Sequence, residues 1–367
     1  MLGSRDPPDY GRPIGGRSRL KAEEIGLEGQ GKDAEAPLEH LTIIDVARAA
    51  GVSPATVSRA MNTPSMVSAK TLQKIRAVLA ETAYVPNSMA RGLASSRSRT
   101  IAFFVPSVGL GLFESSILFI AQAMAQNDYQ VLLGFGGRTD EEFNAALVRA
   151  LTSRPDGIIL IGVTVQDSTR AHLRRARVPV LQAWELPAEP VDMVVGFSHE
   201  QVGRALGDFL LENGYKRPHL VWAQGRLPLA TRYGLTLRLV EAGYPEPGIT
   251  QFPFPSTFAD GAAAFQQIFD GSGPPPDSLV CISDAAAHGA MVAATRRGLR
   301  VPEDVAIIGF GDLDFAAGLW PSLTTVRIDG QEIAAQASRM MLARLQGEAP
   351  PARIVDVGFT LARRESA

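Results

Sequence analysis

The sequence predicts an N-terminal all-α head built on a helix-turn-helix, followed by an α/β body of two lobes, each a doubly wound parallel sheet. Two observations support this prediction. Residues 42–62 (TIIDVARAAGVSPATVSRAMN) contain two short amphipathic helical patterns separated by a glycine. From residue 100 onward, short apolar runs alternate with helical patterns, and this alternation starts again after residue 197.

Composition divides the 367 residues further. Residues 1–40 are rich in Gly, Pro, Arg and Glu and have no apolar periodicity, which is typical of a disordered tail. We expect the helix-turn-helix head at 41–85, a short helix and linker at 86–100, and the two-lobed body at 101–364.

The first two helices have recognisable start and stop signals. Thr42 can cap the first helix, and Asp45 places a carboxylate in its first turn, where a helix N-terminus favours negative charge. Gly51 supplies the backbone freedom that a tight turn requires. Ser53 then caps the second helix, with Pro54 at its first position, where a missing N–H costs nothing.

The second helix presents a short polar face outward, formed by Ala55, Thr56, Ser58 and Arg59. Small residues let a helix approach base edges and phosphates, and Arg59 is long enough to reach guanine or phosphate. An ordinary helix pair within a protein core is the alternative. A third amphipathic pattern over Ser68–Glu81 predicts the helix that completes the head.

Positive charge is concentrated in the head. Residues 41–98 contain seven basic and two acidic side chains, a net charge of +5, whereas the whole chain carries −2. A basic module attached to a body without excess positive charge is the electrostatic footprint of a nucleic-acid-binding domain. The sequence therefore predicts double-stranded DNA as the partner of the head.

These motifs resemble the lactose/galactose repressor family of bacterial transcription regulators. VSPATVSRAMN (52–62), VSAKT (67–71) and YVPNSMARGLASSRS (84–98) stand in the family's order and spacing. The resemblance implies a homodimer that binds a palindromic operator. It also implies that residues 86–100 contain a hinge helix whose leucine, here Leu93, wedges into the minor groove and kinks the duplex. For Leu93, packing against its own partner chain is the alternative.

The resemblance also assigns roles within the head. Arg59 would read a base, Pro54 and Ala55 would stand at specificity positions, and phosphates would be held by Ser53, Thr56, Ser58 and Asn62. Because Pro54 and Ala55 make few hydrogen bonds, we expect readout by thymine-methyl contact and DNA shape. The complete set of predicted DNA-binding residues is Thr42, Ser53, Pro54, Ala55, Thr56, Ser58, Arg59, Asn62, Asn87, Ala90 and Leu93.

Short apolar runs predict the buried strands of the body. They are Ile101–Val105, Val131–Gly134, Gly157–Ile161 and Val178–Gln182 in the first lobe, and His219–Ala223, Gln251–Phe254, Ser278–Ile282 and Val305–Gly309 in the second. The family resemblance extends to about residue 364 and implies a periplasmic-binding-protein-like body that dimerises and binds a small effector. Ligands of parallel sheets sit beyond the carboxyl ends of the strands, so two facing lobes make a cleft.

Residues that follow the predicted strands are candidate effector contacts, because aromatic faces stack on sugar rings while Arg and Asp hold hydroxyls or carboxylates. The candidates are Ser107, Phe113, Trp184, Glu185, Arg232, Phe258, Ser283, Asp284 and Asp312. The resemblance implies ligand contact for Arg232 and for the Ser283–Asp284 pair. The alternatives are a core position for Trp184, a structural cap for Asp312 and a salt bridge within the lobe for Arg232.

A narrower resemblance points to the gluconate-repressor branch of the family. It rests on AWELP (183–187), VGFSHEQ (195–201) and IGFGD (308–312). The family usually has two aspartates after Gly-Phe at the last strand, whereas this chain has Gly311-Asp312. Fewer carboxylates repel an anionic ligand less, so we expect a sugar acid such as gluconate, with Arg232 pairing its carboxylate. A neutral sugar is the other effector class considered.

The motifs of common enzyme classes are missing from the sequence. The glycine cluster at 134–137 lacks the spacing of a dinucleotide fingerprint, and the sequence has no phosphate loop, metal-ligand spacing or nucleophile elbow. We expect a transcriptional regulator, a repressor of carbohydrate or sugar-acid metabolism, with no catalysis, cofactor or metal. The alternative is a cytoplasmic sugar-binding or sugar-modifying protein with an incidental helix pair. Dimer and tetramer both stay open.

Cysteine content and hydropathy indicate the compartment. The single cysteine, Cys281, excludes an internal disulfide, and its apolar neighbours predict a buried side chain. No apolar run approaches the roughly 18 residues that cross a membrane, and no signal peptide is visible. We expect a cytoplasmic protein with no membrane partner.

Overall fold

The computed structural model describes residues 41–82, 84, 97–106, 111–136, 139–162, 165–224 and 227–367. The chain divides into two compact units, Met1–Pro86 and Asn87–Ala367.

The described part of the first unit is helical. It contains α1 (Ile43–Ala50), α2 (Pro54–Asn62), a 3₁₀ turn (Pro64–Met66) and α3 (Ala69–Thr82). Its core consists of Val46, Ala47, Ala50, Val57, Ala60 and Ile75, all buried. Gly51 ends α1 with φ +64°, a left-handed conformation that favours glycine. The predicted all-α head is confirmed.

The second unit contains two α/β lobes. Along this unit the chain first forms β1 (Thr100–Val105), α4 (Gly111–Gln126), β2 (Gln130–Phe135), α5 (Asp140–Thr152), β3 (Gly157–Ile161), α6 (Asp167–Ala176), β4 (Val180–Ala183) and β5 (Met193–Gly196). There follow α7 (His199–Glu212), β6 (Pro218–Ala223), α8 (Leu227–Glu241), β7 (Gly248–Phe252), α9 (Phe258–Phe269), β8 (Ser278–Cys281), α10 (Asp284–Arg296) and β9 (Ala306–Gly311). The last elements are β10 (Thr324–Arg327), α11 (Gly330–Leu345), β11 (Ile354–Asp356) and β12 (Thr360–Ala362).

Each lobe is built on one sheet. The strand order is β11-β5-β4-β3-β1-β2 in the first lobe and β12-β10-β9-β8-β6-β7 in the second. Neighbouring strands are parallel, apart from β12, which runs antiparallel to β10. The chain crosses between lobes at 197–198, 328–329 and 357–359. The predicted pair of doubly wound parallel sheets is confirmed.

One predicted strand is displaced. The sequence suggested Gln251–Phe254, whereas β7 covers Gly248–Phe252. Pro253 and Pro255 have no N–H to donate to a sheet, and this limits the strand at its C-terminal end. Within the described residues, no helix is both long and apolar enough to span a membrane.

Candidate functional site

The second helix of the head holds small residues and one arginine toward solvent. The Ser53 hydroxyl caps α2 by accepting the Thr56 N–H at 3.2 Å. Val57 is completely buried on the inner side, whereas Ala55 and Arg59 are exposed. Within residues 41–82, no acidic side chain forms an ion pair with Arg59. The arginine is therefore free to meet an external anion or a base edge.

Thr42 has an internal role in this structure. Its N–H and its hydroxyl donate to the Asp45 carboxylate at 3.0 and 2.6 Å. These hydrogen bonds, together with the nearby Arg48 guanidinium, lower the pKa of Asp45 below its usual range. The pair fixes the start of α1. Of the other residues predicted to bind DNA or effector, Asn87, Ala90, Leu93 and Ser107 lie outside the described residues, and only the backbone of Asn62 is described.

A cavity of about 130 Å³ lies between the two lobes. The first lobe lines it with Gly111, Leu112, Phe113, Gly162, Trp184 and Phe197, and the second with His199, Ala223, Phe254, Ser256, Ile282, Ser283, Ala285, Phe310 and Leu313. These residues stand at or just beyond the carboxyl ends of parallel strands, where open α/β sheets bind ligands. The volume corresponds to roughly ten water-sized positions, which suits a small metabolite.

Five Phe or Trp side chains line the cavity, and four of them pack against one another. Phe113 meets Trp184 edge to face at 4.9 Å between ring centroids, and Trp184 meets Phe197 at 6.1 Å. Phe197 also packs against Phe310, at 6.4 Å. Trp184 has φ +74°, a left-handed conformation that is strained for a bulky residue and is characteristic of ligand sites.

Polar groups occupy a few fixed places in this wall. The Ser256 hydroxyl donates to the Ser283 hydroxyl at 2.7 Å, and Ser283 in turn caps α10. His199 Nε2 lies 3.1 Å from the Trp184 carbonyl, and Nδ1 lies 3.1 Å from the Thr231 hydroxyl. Because a carbonyl can only accept, Nε2 carries the proton and Nδ1 accepts from Thr231. Burial lowers the pKa of His199 to about 4, so the ring is neutral at pH 7.

The structure brings three of the eight described effector candidates to the cavity wall, namely Phe113, Trp184 and Ser283. The other five, Glu185, Arg232, Phe258, Asp284 and Asp312, do not line it. Glu185 is buried behind the wall, where it accepts a hydrogen bond from Gln182 at 3.0 Å. Burial raises the pKa of Glu185 to about 7.

Phe258 and Asp312 are engaged elsewhere. Phe258 is partly exposed and packs edge to face on His288, at 5.0 Å between ring centroids. Asp312 forms ion pairs with Arg364, at 2.5 Å, and with Arg327. Two guanidiniums therefore neutralise the carboxylate that the sequence suggested for the ligand.

Asp284 lies beneath the cavity rather than in its wall. Its carboxylate accepts the Thr325 hydroxyl at 2.5 Å and the Leu313 N–H at 2.7 Å. Leu313 is a wall residue, so Asp284 positions part of the pocket. Burial raises the pKa of Asp284 to about 6 from a usual value of 3.8, against the effect of these two donors.

This raised pKa gives a testable pH dependence. Between about pH 4 and pH 6 the folded protein binds a proton at Asp284 that the unfolded chain has released, so stability falls as the pH rises through this window. We expect Asp284→Asn to remove a loss on the order of 3 kcal/mol between pH 4 and pH 7. Urea unfolding of both proteins across this range measures it. A difference in unfolding free energy that does not change with pH contradicts the assignment.

Several wall residues were not among the predicted contacts, notably Phe197, Phe254, Ser256 and Phe310. Phe197 and Ser256 follow β5 and β7, so the strand-end rule finds them once these strands are placed correctly. Phe310 is the penultimate residue of β9 itself, so a rule about residues that follow a strand does not identify it.

A helical head with an exposed arginine, in one chain with a two-lobed body that encloses a metabolite-sized cavity, defines a ligand-responsive DNA-binding regulator. Residues 42–87 match the family described as bacterial regulatory proteins, lacI family, and residues 207–367 match the periplasmic binding protein-like domain. The HTH-type transcriptional regulator GntR of Pseudomonas aeruginosa is 33% identical over 327 residues, covering 89% of this chain and 95% of that protein.

Solved structures of similar proteins cover about the same part of the chain. A LacI-family transcriptional regulator from Silicibacter pomeroyi superposes with a TM-score of 0.83 at 28% identity, covering 89% of this chain and 99% of the other. The lac repressor dimer bound to operator and the anti-inducer ONPF superposes with a TM-score of 0.75 at 27% identity, covering 89% and 98%. The chain belongs to the LacI family, and it is a DNA-binding transcriptional regulator rather than an enzyme.

Proposed function

We propose that this protein is a dimeric transcriptional repressor that binds a palindromic operator and responds to a sugar acid, gluconate or a close relative, in the cavity between its lobes. The observation that carries the proposal is the cavity itself. It lies at the carboxyl ends of both sheets, and it combines aromatic faces with the hydroxyls of Ser256 and Ser283. Aromatic faces bind sugar carbons, and hydroxyl pairs recognise sugar hydroxyls.

Arg232 is our candidate for the effector's carboxylate. It follows Thr231, whose hydroxyl bonds the wall residue His199, so it stands one position from a group in contact with the cavity wall. Its side chain is half-buried and has no acidic partner within the described residues. A guanidinium that has no acidic partner in the described part of the chain, one residue from this wall contact, matches a sugar acid better than a neutral sugar. The GntR relative and the AWELP, VGFSHEQ and IGFGD motifs support the same choice.

An apolar surface on the first lobe supports dimerisation. Leu118 and Phe119 are exposed on α4, and Leu133 and Phe135 are exposed on the edge strand β2. We call these four residues the α4–β2 surface. Monomeric proteins seldom expose adjoining large apolar side chains, whereas partner surfaces do. A second copy of the chain is the partner that a palindromic operator requires.

Operator binding with a ligand panel tests the function. Fluorescence anisotropy on a palindrome with a central CpG is measured at fixed salt, first alone and then with gluconate, 2-ketogluconate, glucose or adenosine. We expect sequence-specific binding that gluconate or its relative changes and the neutral compounds do not. A response only to neutral sugars or nucleosides contradicts the sugar-acid proposal. If neither this palindrome nor the neighbouring promoter fragments bind, with or without ligand, the repressor proposal is wrong.

Arg232→Ala separates effector binding from DNA binding. We expect the gluconate concentration that gives half of the response to rise at least about tenfold, because a charge-assisted pair to a carboxylate is lost. Operator affinity without ligand should stay within about twofold. Arg238→Ala is the matched control on the same helix, since the Arg238 guanidinium already pairs with Asp208 at 2.5 Å. Equal effects of the two variants contradict the role of Arg232.

A further inference from the structure

A chain of hydrogen bonds links the cavity wall to two of the segments that cross between lobes. His199 stands at the start of α7, directly after the crossing at 197–198. The chain starts at the Thr231 hydroxyl on α8, which donates to His199 Nδ1. His199 Nε2 then donates to the carbonyl oxygen of Trp184. These two hydrogen bonds therefore connect the second lobe to Trp184, which follows β4 of the first lobe.

The same tryptophan continues the chain through its ring. Trp184 Nε1 donates to the Ser116 hydroxyl on α4 at 3.1 Å, and that hydroxyl donates to the Gly330 carbonyl at 2.6 Å. Gly330 is the first residue of α11, directly after the crossing at 328–329. A Cβ at Gly330 would come within 2.7 Å of Ser115 Oγ and 3.3 Å of the Trp184 ring, so a larger residue there would displace these side chains.

The groups in this hydrogen-bond chain are buried, so water cannot replace a lost partner. Ser116 and Thr231 are completely buried, and Trp184 is nearly so. Buried donors and acceptors that lose their partner pay the full cost of desolvation, which makes such a chain respond as a unit. Trp184 is also held in a strained backbone conformation, and its ring forms part of the cavity wall. A ligand that moves this ring therefore acts on both ends of the chain.

We propose that Thr231, His199, Trp184, Ser116 and Gly330 form a relay that transmits occupancy of the cavity to the two crossings, with Trp184 as the residue that senses the ligand. The transmission to DNA rests on the proposed function, but the mechanical link between the two crossings does not. Ser116 and Thr231 act as positioning residues, because neither lines the cavity.

Hydrogen exchange without ligand tests the mechanical link. Thr231→Val removes the donor at one end of the relay, and Ser116→Ala removes the hydroxyl that joins Trp184 to Gly330. We expect Thr231→Val to speed exchange at residues 330–333, beyond the far end, by at least about fivefold, and Ser116→Ala to do the same at residues 199–202. Thr231→Ser keeps the hydroxyl and should restore protection. If each variant changes exchange only beside its own site, the relay is wrong.

Ser338→Ala is the matched control. Ser338 is buried on α11, and its hydroxyl has no hydrogen-bond partner within the described residues. This variant removes a buried serine hydroxyl from the helix that Gly330 begins, without touching the relay. We expect exchange at 199–202 and 330–333 to match that of the unaltered protein. Faster exchange at both segments in Ser338→Ala would show that any buried hydroxyl loosens the crossings, which overturns the relay.

Gluconate-dependent operator binding tests the transmission. In Ser116→Ala and Thr231→Val we expect gluconate to bind within about threefold of its normal affinity, while its effect on operator affinity shrinks by about tenfold. Unchanged coupling in both variants overturns the proposal. If the unaltered protein binds operator but ignores gluconate, the effector assignment fails, and the exchange experiment still decides whether the relay exists.

Discussion

Replacing Arg59 with alanine should reduce operator affinity by about 100-fold or more without unfolding the head. Each specific contact between a side chain and a base contributes about 1–3 kcal/mol, and a dimer on a palindrome makes the contact twice. Arg59 is exposed on α2 and has no ion pair within residues 41–82, so its loss leaves the packing around Val57 intact. Anisotropy titration on the operator and on a scrambled duplex measures the effect.

Arg76→Ala is the control for charge. Arg76 is exposed on α3, and its removal takes the same unit of positive charge from the head. We expect it to weaken operator and scrambled duplex alike, whereas Arg59→Ala weakens the operator much more than the scrambled duplex. Thermal melting should be the same for both variants within about 2 °C. If Arg59→Ala lowers affinity for the two duplexes equally, Arg59 holds a phosphate and does not read a base.

The sequence predicts most of the architecture because the central strands are recognisable as short apolar runs. The strands β1, β3, β8 and β9 consist mainly of apolar residues and are buried along almost their whole length, as expected for parallel strands covered on both faces. The short strands β11 and β12 have three residues each and carry no comparable signal. In β11, Ile354 pairs with Val194 of β5, and local sequence cannot predict the register of strands so far apart in the chain.

The candidate site divides in the same way. Phe113, Trp184 and Ser283 were predictable because each follows a strongly patterned strand. Asp312 also follows such a strand, but its partner Arg364 lies 52 residues further along the chain and takes its carboxylate. Local sequence cannot show that a charge is already paired. A tertiary contact of this kind decides whether a residue at a strand end faces the ligand or the protein.

Placing negative charges on the α4–β2 surface should reduce operator binding more than Arg59→Ala does. We expect the double variant Phe119→Asp/Leu133→Asp to raise the dimer dissociation constant by about 100-fold or more, because two carboxylates per chain would be buried against their copies. Both side chains are exposed by more than 40%, so the lobe itself loses little packing. Phe103 pairs with Leu133 in the sheet and belongs to the core that α4 covers, which places Leu133 on the same face of the sheet as α4.

Loss of the dimer should then remove operator binding more completely than loss of Arg59. Two linked heads bind their half-sites with an effective concentration near the millimolar range, and a monomer forfeits this gain entirely. Sedimentation equilibrium measures the dimer, and anisotropy measures the operator. Val148→Asp is the matched control, since Val148 is similarly exposed on α5, which packs against Phe104 on the opposite face of the sheet. A double variant that remains dimeric at micromolar concentration would place the dimer contact elsewhere.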